Sequence, residues 1–108
     1  MRVLLDECVP ARLRLQLPEH EVQTVPGVGW AGISNGELLR EIDAIGQFDA
    51  LVTVDKNLPS QQSIETLSFG VVVLRVPSNS IDDILPLIPD LRKALQDLRS
   101  EEVLVLGG

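Results

Sequence analysis

The chain has 108 residues and a mass of 11.8 kDa, with 44% of residues apolar and 23% charged. That suits one domain over residues 1–108 with a packed core and excludes a disordered or collagen-like polymer. Sixteen Asp and Glu against nine Lys and Arg give a net charge of −7 at pH 7, which excludes a protein that coats nucleic acid with basic surface, so any phosphate partner needs a cation or a local basic patch.

The run Val3-Leu4-Leu5 is far too short for a signal peptide or a membrane span, so neither export nor membrane insertion is expected. The single cysteine, Cys8, excludes an internal disulfide or a multi-cysteine zinc cluster and fits a reducing compartment, with the cytoplasm as the expectation. Val3–Leu5, ended by Asp6-Glu7, reads as a strand buried on both faces. Pro10 suits the first turn of a helix over Ala11–Leu17, which Pro18 stops. Glu21–Val25 alternates as a second strand, and Pro26–Gly32, with three glycines, is a loop. Ser34-Asn35-Gly36-Glu37 is a capping box opening a helix whose apolar stripe is Leu38, Leu39, Ile42 and Ile45, ending near Gly46.

Ala50–Val54 is a β-branched central strand, and a short helix is expected around Ser60–Leu67. Gly70–Val76 is a further strand, closed by the turn residues Pro77–Ser80. Ile81–Arg99 has a helical stripe of Ile84, Leu85, Ile88, Leu91, Leu95 and Leu98, divided or kinked by Pro86 and Pro89. Glu102–Leu106 is a last strand, suited to a sheet edge. Five strands alternating with helices predict an α/β fold, a parallel sheet with helices on both faces.

Ligands of such sheets bind beyond the carboxyl ends of the strands. Asp6 and Glu7 fall there after the first strand, Asp55, Lys56 and Asn57 after the third, Ser78 and Asn79 after the fourth, and Asn35 and Glu37 open the helix after the second. Crowded carboxylates repel unless a cation neutralises them, and Mg²⁺ or Mn²⁺ takes oxygen ligands and bridges to phosphate. Bland readings stand beside each residue. Asp6 and Asp55 could close turns, Glu37 completes a capping box, and Lys56 and Asn57 suit a solvated turn. His20 reads as an exposed turn residue, Cys8 lacks a base, and Trp30 fits the core better than a base stack.

LLDE at residues 4–7, GWAGISNGELL at 29–39 and TVDKN at 53–57 together resemble the compact PIN-like proteins. The likeness spans about residues 1–76. It implies a small three-layer α/β/α sandwich and Mg²⁺- or Mn²⁺-dependent cleavage of RNA, as in the toxin of a bacterial toxin–antitoxin pair, with an antitoxin protein and a second copy of the chain as expected partners. Asp6 would match the first metal-binding acid and Asp55 the acid after the central strand. The acid that opens the family's helix falls on Asn35, a departure, with Glu37 half a turn further on as its substitute. Asn57 stands where many relatives have a second aspartate.

The expectation is an endoribonuclease in which Asp6, Glu37 and Asp55 hold the metal, Glu7, Asn35 and Asn57 support it, and Lys56, Ser78 and Asn79 contact substrate. Two rivals remain. One is a PIN-like module that has lost catalysis and acts through protein binding. The other is a receiver domain phosphorylated on Asp55, disfavoured because Lys56 adjoins Asp55 instead of following a later strand.

Overall fold

The computed structural model describes residues 1–58 and 67–107. Five strands, β1 (Arg2–Leu5), β2 (Glu21–Thr24), β3 (Ala50–Thr53), β4 (Gly70–Arg75) and β5 (Val103–Gly107), form one sheet in the order β2-β1-β3-β4-β5. Every pairing is parallel, with Val3 level with Val22 on one side and with Ala50 on the other, and Thr53 level with Val73. The α/β class read from the alternating pattern is therefore the fold.

The strand side chains divide between the two faces with the period of two that a pleated strand imposes. Val3, Leu5, Ala50, Val52, Val72 and Leu74 share a buried cluster with Leu13, Leu17, Ile84, Ile88, Leu91 and Leu95. Leu4, Leu51, Val71 and Val73 share the other with Leu38, Leu39, Ile42, Phe48 and Phe69. Burial on both faces is why β1, β3 and β4 read as continuous apolar runs.

Helix α1 (Asn35–Ile45) begins as its capping signal predicts: Ser34 Oγ accepts from the Glu37 backbone N–H at 3.3 Å. It ends at Gly46, whose φ of +63° is a left-handed cap that glycine adopts without strain. Leu38, Leu39 and Ile42 are buried, whereas Ile45, expected on the stripe, is 45% exposed in the last turn.

The expected helix at 11–17 is instead a 3-10 helix over Ala11–Gln16. Pro18 disfavours helical backbone at Leu17, and the remaining six residues, with no side-chain cap, are too few to repay α-helix nucleation. The prolines near 86–89 divide the last helical stretch as expected. Helix α2 (Ile81–Ile84), capped by Ser80, passes through a 3-10 turn at Leu85–Leu87 into α3 (Ile88–Asp97), which carries Pro89 in its first turn where its missing N–H costs nothing. Leu85 is 40% exposed, and Leu98 lies just past the end of α3, partly buried against the core. The helix expected around 60–67 lies, apart from Leu67, outside the described residues. Among the described residues no helix is long and apolar enough to cross a membrane.

After β1 the chain moves to one side to make β2, then crosses back over β1 through α1 to make β3 and continues outward. The gap between the carboxyl ends of β1 and β3 is thus the switch point of a doubly wound sheet, where such folds open a crevice.

Candidate functional site

Asp6 is the first residue beyond β1, and its backbone N–H donates to the Val52 carbonyl at 2.9 Å, extending the β1–β3 ladder. That pins the side chain at the switch point, only 6% exposed. A buried carboxylate needs hydrogen-bond donors. Oδ1 accepts from the Glu7 N–H at 2.8 Å, and Oδ2 accepts from the Thr53 hydroxyl at 2.7 Å.

Thr53, the last residue of β3, is fully buried. While its hydroxyl donates to Asp6, its oxygen accepts from the Asp55 backbone N–H at 3.0 Å. One hydroxyl thus joins the Asp6 carboxylate to the backbone that carries Asp55. Thr53 carries no functional signal in the sequence, because a threonine at the end of a strand is explained by β propensity alone. The signal that could have found it is its place, a hydroxyl at the buried end of a central strand two residues before an acid.

Asp55 is half-buried. Its Oδ1 accepts from the Asn57 N–H at 3.0 Å, closing a turn, and its Oδ2 accepts from Asn35 Nδ2 at 3.0 Å. Asn35 opens α1, so β1, β3 and the start of α1 converge through Asp6, Asp55 and Asn35. Asn57 contributes its backbone to the Asp55 turn, and its side chain is exposed.

Glu37 does not join this network. It is exposed in the first turn of α1, and among the described residues no three His, Cys, Asp or Glu side chains are grouped to hold a metal ion. Helical geometry gives the reason: two residues along an α-helix is about 200° around its axis, so with Asn35 turned to Asp55, Glu37 points away. Glu7, expected as a supporting ligand, is also exposed, and its carboxylate oxygens accept from the Gly32 N–H at 3.2 and 3.3 Å, fastening the glycine loop to the end of β1.

Cys8 is half-buried, its Sγ 3.6 Å from both Asp6 Oδ2 and Thr53 Oγ1. Burial above all raises its thiol pKa, which outweighs the opposing hydrogen bonds from the Val54 backbone and Thr53, and the Asp6 charge adds to the rise. That is the reverse of an activated nucleophile. Ser78 donates to Asp83 Oδ2 at 2.6 Å and accepts from the Ser80 N–H at 3.1 Å, a local arrangement at the start of α2, while Asn79 is exposed beside it. Trp30 is partly buried and meets Phe48 edge-on with ring centroids 6.5 Å apart, so it packs as expected. His20 departs from expectation: its side chain is only 8% exposed, with Nε2 3.7 Å from Glu19 Oε1.

The donor set suits a hard divalent cation. Two carboxylates and an amide oxygen are oxygen ligands; Asp6 Oδ2 accepts from both the Thr53 hydroxyl and the Cys8 thiol, whereas Asp6 Oδ1 and both Asp55 oxygens each carry one hydrogen bond and keep a lone pair, and Mg²⁺ commonly takes one or two carboxylates and completes its shell with water. Fold and site together define an α/β protein with an acidic centre at the switch point of a parallel sheet. No protein-family model, curated protein or solved structure matches the chain.

Proposed function

We propose that this chain is a PIN-like, Mg²⁺- or Mn²⁺-dependent endoribonuclease and the toxin of a toxin–antitoxin pair, working in the cytoplasm on RNA and held in check by an antitoxin protein, with self-association into a homodimer. The observation that carries the reading is the Thr53 hydroxyl joining Asp6 to the Asp55 turn at the switch point. The motifs at residues 4–7, 29–39 and 53–57 support it.

Asp6 and Asp55, with the Asn35 amide oxygen, would hold the metal. When bound, such an ion polarises a phosphoryl oxygen and lowers the pKa of its water. Thr53 fixes the Asp6 carboxylate, Asn35 and the Asn57 N–H fix that of Asp55, and the buried position of Asp6 lowers the local dielectric in which their charge acts. Purified protein incubated with single-stranded RNA and Mn²⁺ should cleave it, and EDTA or Asp6→Asn should abolish cleavage. A wild type no more active than Asp6→Asn sinks the reading.

One observation favours a second reading, a degenerate module acting through protein binding. Asn35 puts an amide where the resemblance calls for an acid, and it donates to Asp55 instead of adding negative charge. In that case millimolar Mg²⁺ or Mn²⁺ would leave the melting temperature unchanged, since only a ligand of the native state raises it.

A further inference from the structure

We propose that Lys56 and Arg75 form a subsite for a backbone phosphate of single-stranded RNA, next to the phosphate that is cleaved; the inference rests on the nuclease reading and names how its substrate is held. Two open clefts, of about 300 and 240 Å³, lie over the carboxyl ends of the strands. One is lined by Val54, Lys56, Arg75, Val76 and Pro77, the other by Lys56, Asn57, Val73, Arg75 and Val105. Lys56 and Arg75 are common to both, so the two cations stand at the rim between the clefts and line each of them.

The register explains their meeting. Thr53 is level with Val73 across β3 and β4, and two residues further on each strand stand Asp55 and Arg75. Lys56 follows Asp55 directly, so the cations flank the acidic centre on its β4 side.

Both side chains are exposed, and neither has an ion pair or hydrogen bond among the described residues; other basic side chains are also unpaired, and what singles out these two is that they line both clefts beside the acidic centre. In a chain of net charge −7, two cations with no direct ion pair, on the β4 side of the acidic centre, give that rim a local positive potential that attracts an anion where the rest of the molecule repels it. Val54, Val76 and Pro77 in one cleft and Val73 in the other give low-dielectric walls that strengthen that field. The guanidinium matches two phosphate oxygens at once, and the ammonium adds a point charge. A carboxylate ligand would gain from the cations but not from the neighbouring metal-binding acids, whereas a phosphodiester chain presents anions to both at successive positions.

The test uses the full chain carrying Asp6→Asn, so that RNA stays intact, in EDTA, with fluorescence anisotropy of a short labelled single-stranded RNA across a salt series. One neutralised phosphate predicts a log K against log salt slope of about −0.7. Lys56→Ala and Arg75→Ala should each weaken binding about tenfold and flatten the slope, the double variant bringing it close to zero, while Arg75→Lys keeps the slope because it keeps the charge. Unchanged affinity and slope in the double alanine variant, or no RNA binding at the lowest salt, overturns the subsite. Separately, the otherwise wild-type chain and its Lys56→Ala/Arg75→Ala variant are assayed for cleavage with Mn²⁺. Cleavage with KM unaffected by the double substitution rejects the subsite and keeps the nuclease; salt-dependent binding through both residues without cleavage does the reverse.

Discussion

The Thr53 hydroxyl donates to Asp6 Oδ2 at 2.7 Å, joining two residues 47 positions apart in the chain, and both are buried. A charge-assisted bond of this length inside the fold holds the site together and also holds β1 to β3. Thr53→Val keeps the shape and removes the donor, leaving an Asp6 oxygen without that partner. The expected cost is about 1–3 kcal/mol, read as a lower urea midpoint with an unchanged m value. A variant as stable as wild type would mean that this bond contributes nothing.

Asn35→Asp places a second carboxylate against Asp55, to which the Asn35 amide now donates at 3.0 Å. Without divalent metal the variant should melt below wild type, because like charges meet and a hydrogen bond is lost. In millimolar Mn²⁺ the order should narrow or reverse: tenfold tighter binding adds about 1.4 kcal/mol to the native state. Melting curves in EDTA and in Mn²⁺ decide it, and equal metal responses from both proteins would show that position 35 does not face the ion.

Burial raises the Cys8 thiol pKa, so folding favours the neutral thiol. The sign follows directly. This contribution is complete below the ordinary thiol pKa and is lost as pH rises through the higher folded value. The stability difference between wild type and Cys8→Ser should therefore shrink on the alkaline side and stay flat below it. Iodoacetamide should label Cys8 more slowly in the folded protein than in urea at the same mildly alkaline pH; equal rates would contradict the burial of the sulfur.

Gly70 begins β4 beneath the turn that follows α3, and a Cβ there would meet Leu98 Cγ at 2.5 Å and the Arg99 carbonyl oxygen at 2.6 Å. Leu98 is partly buried against the core and the other atom is backbone, so neither moves freely. Gly70→Ala should cost about 1–3 kcal/mol in thermal or urea unfolding. Gly46→Ala, with open space around its Cβ but a φ of +63°, should cost about 1 kcal/mol from backbone strain alone.

The strand ends were legible because apolar runs stop at acids: Leu5 gives way to Asp6, and Val54 to Asp55. Once the sheet is parallel, topology brings those ends together whatever the side chains do. Side-chain direction was not legible. Asn35 and Glu37 both open α1, and only the helix phase sends the first to Asp55 and the second away. Glu7 has the charge of a ligand, but its Gly32 contact depends on the path of a loop with no periodicity. Thr53 was hidden for the opposite reason: its local sequence already had a complete explanation as strand. His20 was misjudged because a lone histidine in a short turn carries no pattern that reports burial.

Strand β1 lies inside the sheet, with β2 and β3 on its two sides, and both neighbours are reached through crossovers. Among the described residues no adjacent pair of strands is a hairpin, so every ladder closes a long loop before it gains a contact, an arrangement that slows folding. Asp6 is synthesised 47 residues before the Thr53 that bonds it, so its carboxylate waits for that partner. The acidic centre is therefore assembled only when β3 docks, and a fragment ending before residue 53 keeps Asp6 but lacks the hydroxyl and the second carboxylate that complete it.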